Sequence, residues 1–170
     1  MDLAALIRDV PDFPQAGILF KDISTLLQQP AALREAIDRL AAPHREQHLD
    51  AVVAIESRGF IFGGAIAQQL GAGFVPVRKA GKLPAETHRV SYELEYGSAA
   101  LEIHRDALRP GQRVLIVDDL LATGGSAAAA VQLVERLGAV VAGIAFLIEL
   151  DFLHGRRKLE GYDIHTLIHY

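Results

Sequence analysis

Residues 113–126 constrain the fold more than any other part of the sequence, because a strand, two acids and a glycine turn follow one another there. Residues 114–117 are apolar and mostly β-branched, which is typical of a strand buried on both faces. Asp118 and Asp119 are expected at the carboxyl end of that strand. The alanine-rich stretch after the turn predicts a helix to about Leu137. This order of elements favours an α/β fold with a parallel sheet.

The glycine turn and the two acids together predict a grip on ribose 5-phosphate. A glycine turn that opens a helix leaves backbone N–H groups free for an anion. No lysine follows Gly125, as a nucleoside triphosphate loop would require, so a single phosphate is expected. Ionised carboxylates only accept hydrogen bonds, which suits two ribose hydroxyls. The predicted grip consists of Asp118, Asp119, Ala122, Thr123, Gly124, Gly125 and Ser126. The simpler alternative is an ordinary turn in which Ser126 caps the helix and the acids are solvated.

Two further strands end in polar turns. Residues 51–55 predict a buried strand that leads through Glu-Ser-Arg-Gly into a helix over 60–70. Arg58 in that turn carries a planar guanidinium that can grip phosphate, although it could be an ordinary surface arginine. Residues 73–77 predict a third strand, and the cations Arg78, Lys79 and Lys82 follow it. Such a cluster is either a solvated face or a second anion site.

The remaining elements surround this centre. The apolar spacing predicts a short helix over 2–10, then irregular chain over 11–27, then an amphipathic helix over 30–42. Phe20 in the irregular part either packs on the core or covers a flat base. Residues 82–103 predict a flap, which is a flexible loop with two antiparallel strands. Two more strands are expected over 139–148 and 164–169.

Composition excludes several classes of protein. The 170 residues predict a single domain, 1–170, and the absence of cysteine excludes disulfides and thiolate chemistry. The net charge of −4 argues against nucleic acid or an anionic membrane as the main partner. The first ten residues carry charges and lack a long apolar core, so neither a signal peptide nor a membrane span is expected. We therefore expect a cytoplasmic location.

Four motifs resemble the type I phosphoribosyltransferases, in the order of that family. Residues 117–126 resemble its phosphoribosyl-pyrophosphate motif. The sequence Asp-Asp-Leu-Leu-Ala-Thr-Gly-Gly within them is similar to the motif of the adenine-specific branch. The other motifs are Glu-Ser-Arg-Gly-Phe at 56–60, Arg-Lys-Ala-Gly-Lys-Leu-Pro at 78–84 and Glu-Tyr-Gly at 95–97, with a similar tail at 149–159. Ser126 stands where the family usually has threonine, which retains the hydroxyl. Lys21 stands where many members have arginine.

The resemblance implies a type I phosphoribosyltransferase fold, with a mostly parallel sheet flanked by helices, an amino-terminal hood (about 1–30) and an antiparallel flap (about 82–103). It implies transfer of the 5-phosphoribosyl group from 5-phosphoribosyl 1-pyrophosphate to adenine, giving AMP and pyrophosphate, with Mg²⁺ held mainly by the substrate. It also implies a homodimer and a cis peptide in the Glu-Ser-Arg turn.

The resemblance assigns three groups of site residues. The pyrophosphate would be bound by Ser57, Arg58, Gly59, Arg78, Lys79 and Lys82, with one of the cations coming from the neighbouring subunit. Adenine would stack on Phe20, meet backbone groups of Leu19 and Lys21, and face Leu150. Glu95 would be the catalytic carboxylate in the flap, beside Tyr96.

Three alternatives stay open on the sequence. One is a sister enzyme that uses hypoxanthine, guanine or xanthine. Another is a transcription regulator of the same fold that senses 5-phosphoribosyl 1-pyrophosphate, although an acidic chain offers no DNA-reading element. The third is a sugar-phosphate binding domain without catalysis.

Overall fold

The computed structural model describes residues 1–94 and 97–170, so Glu95 and Tyr96 lie outside the described residues. Its centre is a seven-stranded sheet. The strands of this sheet are β3 (Ala51–Ile55), β4 (Gly73–Lys79), β5 (Thr87–Glu93), β6 (Ser98–His104), β7 (Arg113–Leu121), β8 (Val140–Glu149) and β9 (Ile164–His169). They lie in the order β5-β6-β4-β3-β7-β8-β9. The pairs from β4 through β3, β7 and β8 to β9 are parallel. The mostly parallel sheet is therefore confirmed.

Strand β7 is longer than its apolar run predicts. We expected the strand to end before the two acids, but it continues through Asp118 and Asp119 to Leu121. The reason is the neighbouring strand, since Asp118 pairs with Phe146 and Leu120 with Ile148 in a parallel ladder. The acids therefore lie on a fixed strand and not in a loop.

Helices cover both faces of the sheet. They are α1 (Ser24–Leu27), α2 (Pro30–Ala41), α3 (Gly59–Leu70) and α4 (Gly125–Arg136). Side chains of α2 and α3 form one apolar core with one sheet face, and side chains of α4 form a second core with the other face. Packing of the helices against both faces holds the sheet in place. The strand ends that carry the polar turns are therefore fixed in position.

The flap strands are antiparallel, as predicted. Strand β5 pairs with β6, and β6 joins the main sheet at β4. The Nη1 of Arg136 on α4 donates to the backbone oxygen of Arg89 on β5 at 3.0 Å. The base of the flap is therefore attached to the helix that follows the glycine turn.

The hood differs from its prediction. Instead of a helix over 2–10, the chain makes one short 3-10 turn (Ala4–Leu6) and then strand β1 (Arg8–Pro11). Strand β2 (Leu19–Asp22), in the stretch predicted to be irregular, pairs with it in an antiparallel register. Cross-strand ion pairs from Arg8 to Asp22 and from Lys21 to Asp9 support this pairing. Pairing between β1 and β2 thus overrides the apolar spacing that predicted a helix.

His44 is buried beneath the sheet and gives a testable pH effect. It is 2% exposed, and burial lowers its pKa, although the hydrogen bond between His44 Nδ1 and Gln47 Oε1 at 3.0 Å opposes the shift. The His165 ring, with its centroid 6.3 Å away, lowers the pKa further, and Asp163 raises it. In the folded state His44 therefore binds a proton only below its ordinary pKa of 6.5, whereas in the unfolded chain it binds one near that pKa.

We expect the free energy of unfolding to fall as the pH drops below 6.5, because the unfolded state then binds the extra proton. The His44 contribution is at most about 1.4 kcal/mol per pH unit, the value for one proton. Urea titrations at several pH values measure the slope. It should shrink in His44→Leu and stay unchanged in His48→Asn, an exposed control position. Equal slopes in the wild type and His44→Leu would contradict the assignment.

Candidate active site

A cleft of about 330 Å³ opens where β3 and β7 end. It joins two of the predicted anion-binding segments, because the 56–58 turn lines one part of it and the 122–126 turn lines another. The predicted site residues that line it are Ser57, Arg58, Lys79, Asp118, Asp119, Ala122, Thr123, Gly124, Gly125 and Ser126. The two acids lie between the turns on β7. One cleft thus brings together the two turns predicted to bind anions and the two acids predicted to accept hydroxyls.

The glycine turn adopts a backbone that requires glycine at Gly124. Its φ is +85°, and a Cβ there would lie 2.5 Å from the backbone oxygen of Gly155. Helix α4 begins at the next residue, so the N–H groups of its first turn have no intrahelical acceptors. Those N–H groups and the positive end of the helix dipole suit a phosphate. The helix begins at Gly125, and Ser126 lies within its first turn and not at the cap position.

The two acids are buried side by side. Asp118 is 7% exposed and Asp119 is 6% exposed. Burial, together with the negative charge of Asp119, raises the pKa of Asp118 well above its ordinary value, while Arg58 opposes the rise. Asp118 Oδ1 accepts the Asp119 backbone N–H at 2.8 Å. Two adjacent carboxylates out of water resist a double charge, so a nearby cation stabilises their ionised state.

Arg58 is that cation, and it also reaches the hood. Its Nε donates to Asp119 Oδ2 at 2.5 Å, and its guanidinium carbon lies 5.4 Å from the centroid of the Phe20 ring. Burial would lower the pKa of Arg58, but Asp119 and Asp118 outweigh it and raise the pKa. Arg58 therefore connects the acid pair to the aromatic side chain predicted to stack on a base.

Strand β4 extends two residues beyond the predicted 73–77, so Arg78 and Lys79 lie on the strand and only Lys82 follows it. The three cations differ in their contacts. Lys79 lines the cleft, whereas Arg78 Nη2 and Lys82 Nζ pair with Glu56 Oε2 at 3.1 and 3.4 Å. Gly59 does not line the cleft and packs behind it, since a Cβ there would lie 2.9 Å from Asp118 Oδ1. The expected cis peptide is present between Glu56 and Ser57.

The predicted base-binding residues lie beside the cleft and do not line it. Leu19 is 49% exposed on β2, and the Phe20 ring packs edge-on against Phe13 with centroids 5.0 Å apart. Lys21 places its Nζ 3.7 Å from the centroid of the Tyr170 ring. The Leu150 N–H donates to the Leu121 oxygen at 3.0 Å, which ties the tail to β7.

Sequence reasoning did not assign eight of the residues that line the cleft, among them Glu56, Tyr92 and Leu94. Tyr92 leans over the glycine turn, since a Cβ on Gly125 would lie 3.1 Å from Tyr92 Cδ2. Burial and the charge of Asp118 raise the pKa of Tyr92. The flap pattern was the available signal for Tyr92, but alternation alone does not say which face of a strand meets a ligand. Glu95 and Tyr96, the predicted catalytic carboxylate and its neighbour, lie outside the described residues.

A second polar cluster lies at the end of β8. Oxygen and nitrogen atoms of Glu149, Asp151 and His169 lie within 4.8 Å of one another, a spacing that metal ligands also show. Arg156 Nε, however, donates to both oxygens of Glu149 at 2.7 and 2.9 Å. The cluster is therefore an ion-pair network that anchors the tail on which Leu150 lies.

No helix in residues 1–94 and 97–170 is long and apolar enough to cross a membrane.

Comparison with known proteins agrees with this arrangement. The phosphoribosyl transferase domain family matches residues 22–167. The adenine phosphoribosyltransferase of Nitrosococcus oceani is 60% identical over 99% of this chain and 98% of its own length. The crystal structure of the Thermoanaerobacter pseudethanolicus adenine phosphoribosyltransferase is 54% identical, with a TM-score of 0.96 over 99% of this chain and 98% of that one.

A third relative was solved with ligands. The Saccharomyces cerevisiae adenine phosphoribosyltransferase, complexed with D-2,5-dideoxy-2,5-imino-altritol 1,6-bisphosphate and adenine, is 47% identical, with a TM-score of 0.92. That match covers 97% of this chain and 96% of the yeast chain. These similarities span nearly the whole sequence and confirm the family predicted from its motifs. By sequence and by fold, then, the chain belongs to the adenine phosphoribosyltransferases of the phosphoribosyl transferase domain family.

Proposed function

We propose that the chain transfers the 5-phosphoribosyl group of 5-phosphoribosyl 1-pyrophosphate to adenine, giving AMP and pyrophosphate, and that the cleft between β3 and β7 performs this reaction. The observation that carries the proposal is that the 56–58 turn, the acid pair and the glycine turn line one cleft. A single substrate with phosphate at one end of a ribose and diphosphate at the other needs such an arrangement.

The glycine turn and the acids would hold the sugar. N–H groups of Ala122, Thr123, Gly124, Gly125 and Ser126 would bind the 5-phosphate. Asp118 and Asp119 would accept the two ribose hydroxyls. As the bond to the diphosphate breaks, positive charge develops on the sugar ring, and the negative charge of the acid pair stabilises it.

The opposite side of the cleft would hold the leaving group. Ser57, Arg58 and Lys79 line this side and would bind pyrophosphate, with Arg78, Lys82 and the Gly59 backbone beside them. Arg58 would exchange part of its contact with Asp119 for a diphosphate oxygen, because a guanidinium offers five donors and uses only some of them here. Charge on the departing diphosphate would then be met by preorganised cations.

The hood, the tail and the flap would hold the base. Phe20 would stack on adenine, backbone groups of Leu19 and Lys21 would read its edge, and Leu150 would close the far side. Leu19 and Phe20 lie on β2, and Arg58 connects Phe20 to the acid pair. Glu95 as the residue that manages the purine proton, with Tyr96 beside it, remains a prediction from the sequence.

Mg²⁺ fits this donor set. Each acid has one carboxylate oxygen engaged, Asp118 Oδ1 by the Asp119 N–H and Asp119 Oδ2 by Arg58, and the described residues show no hydrogen bond to the other oxygen. Such hard oxygens, with those of diphosphate and ribose, are the ligands that Mg²⁺ prefers. Bound there mainly through the substrate, Mg²⁺ would neutralise charge on the diphosphate oxygens.

A homodimer is part of the same proposal. Ile61 and Phe74 are each 41% exposed, on α3 and β4, near the strand that carries Arg78 and Lys79. Large exposed apolar side chains favour contact with another chain, and light scattering measures the molar mass that decides it. The cytoplasmic location, the absence of a nucleic acid partner and the single-domain organisation, 1–170, stay predictions.

The experiment is incubation with 5-phosphoribosyl 1-pyrophosphate, Mg²⁺ and each purine in turn, with nucleotide and pyrophosphate quantified. Adenine should be consumed to AMP with equal release of pyrophosphate. Nucleotide formation from hypoxanthine, guanine or xanthine in preference to adenine would assign the 6-oxopurine alternative. Retarded DNA migration without pyrophosphate release would favour the regulator, and absence of turnover with every purine would favour a binding domain.

A further inference from the structure

Glu56 is a buried carboxylate at the centre of the cationic side of the cleft. Its side chain is 5% exposed, it lines the cleft, and it directly follows the last residue of β3. Its backbone N–H donates to the Val77 oxygen on β4 at 2.9 Å. The residue is therefore held between the two strands whose ends carry the 56–58 turn and the cationic segment 78–82.

Three groups of the cationic segment converge on this one carboxylate. Glu56 Oε1 accepts the Lys79 N–H at 2.6 Å, while Oε2 meets Arg78 Nη2 at 3.1 Å and Lys82 Nζ at 3.4 Å. Burial would raise the pKa of Glu56, but the Lys79 N–H and the Arg78 guanidinium outweigh burial and lower it. Glu56 is thus ionised at neutral pH and links the segment to the turn beside it.

A carboxylate is an unexpected neighbour for a diphosphate, because like charges repel. These bonds do not saturate the Arg78 guanidinium, since its buried Nε has no hydrogen-bond partner among residues 1–94 and 97–170. Arg78 Nη1 also donates to the Lys82 oxygen at 3.4 Å, which folds the segment back on itself. The bonds to Glu56 therefore fix where the two cations point and leave a donor of Arg78 unused.

We propose that Glu56 is a positioning residue, which rests on the proposed function: it holds Arg78 and Lys82 in place for the pyrophosphate group. Without its charge, the two cations lose their common anchor, and long flexible side chains spread into solvent. Binding of the diphosphate then has to restore their order, which costs conformational entropy.

This role makes a prediction opposite in sign to simple electrostatics. Removing a negative charge beside an anion site should strengthen anion binding if Glu56 is a bystander. If Glu56 positions the cations, Glu56→Gln should weaken pyrophosphate binding about tenfold, the scale of a hydrogen bond to a charged group. The amide oxygen of glutamine can still accept the Lys79 N–H. The amide NH₂ group only donates hydrogen bonds, so it cannot accept those of Arg78 and Lys82.

The measurement is calorimetric titration of the full chain with Mg²⁺-pyrophosphate and, separately, with AMP. In Glu56→Gln, the affinity for pyrophosphate should fall about tenfold, and that for AMP should stay within twofold of the wild type. In steady-state assays, the KM for 5-phosphoribosyl 1-pyrophosphate should rise while the KM for adenine stays unchanged. Glu56→Asp, which keeps the charge on a shorter side chain, should recover part of the lost affinity.

Glu102→Gln is the matched control. Glu102 is also buried, and its Oε1 accepts the Gly81 N–H at 3.2 Å, a bond that an amide oxygen can replace. Its pyrophosphate affinity should equal that of the wild type. Tighter or unchanged pyrophosphate binding in Glu56→Gln, equal loss of AMP affinity, or no recovery in Glu56→Asp would each overturn the role of Glu56. A wild type that binds pyrophosphate yet forms no AMP would overturn the proposed function and leave this role intact.

Discussion

Replacing Asp119 by asparagine is expected to lower kcat/KM for 5-phosphoribosyl 1-pyrophosphate about 10²- to 10³-fold, the scale observed when one preorganised electrostatic contact is removed. Asp119 is 6% exposed and takes the Nε of Arg58 on Oδ2. Asparagine keeps the shape of the side chain but loses the charge that we propose stabilises the sugar in the transition state. Its amide hydrogens would also face Arg58 in one of its two orientations.

Asp106→Asn is the control, because Asp106 is an exposed aspartate in the turn before β7. Its kinetics should match the wild type, and urea titration of both variants separates kinetic effects from a loss of folded protein. The loss in Asp119→Asn should appear mainly in kcat, since charge develops on the sugar only in the transition state. Activity within threefold of the wild type would remove Asp119 from the proposed chemistry.

Gly124→Ala is expected to raise the KM for 5-phosphoribosyl 1-pyrophosphate about 10²-fold, because a displaced phosphate cradle loses several hydrogen bonds at once. The added Cβ would lie 2.5 Å from the Gly155 oxygen. The Cβ position is set by the backbone and the oxygen belongs to the backbone, so neither atom can rotate away. The turn or the segment around Gly155 must therefore move. The KM for adenine should change less, because the hood does not contain this turn.

Gly161→Ala separates the contact from the backbone strain. Gly161 has a φ of +88°, close to the +85° of Gly124, but a Cβ there meets nothing within 4 Å. Both alanine variants should lose about 1–2 kcal/mol of stability from the left-handed backbone, as urea titration measures. Only Gly124→Ala should change the KM. Similar kinetics in the two variants would show that the contact with Gly155 does not position the cradle.

Local sequence predicted those elements whose surroundings are uniform. Strand β3 is buried along its whole length, so its apolar run and its observed bounds coincide. Helix α2 begins at Pro30, a residue that suits the first helical position. The glycine turn and the acid pair were also recognisable, because their spacing is set within ten residues of one another.

Features that depend on distant partners could not be predicted. The extension of β7 past Asp118 requires β8, which begins about twenty residues later. The hood strands require each other, and the helical spacing of the first residues gave no sign of that pairing. In the sequence, Glu56 is one polar residue in a predicted turn. Its proposed positioning role depends on contacts with residues more than twenty positions away. These contacts become visible only after the sheet has brought β3 and β4 together.

The contact between Gly124 and Gly155 has a consequence for how such an enzyme can diverge. Gly155 follows the Leu150 stretch on the same short tail, and a Cβ on Gly155 would collide with the Ala122 oxygen. If the tail contacts the base as we propose, selection for a different nucleobase would act on it. Any backbone change there would also displace the glycine turn that we propose binds the 5-phosphate. Changes of base preference in this scaffold should therefore arise through side-chain exchanges at a conserved backbone, and insertions in the tail should be rare among active descendants.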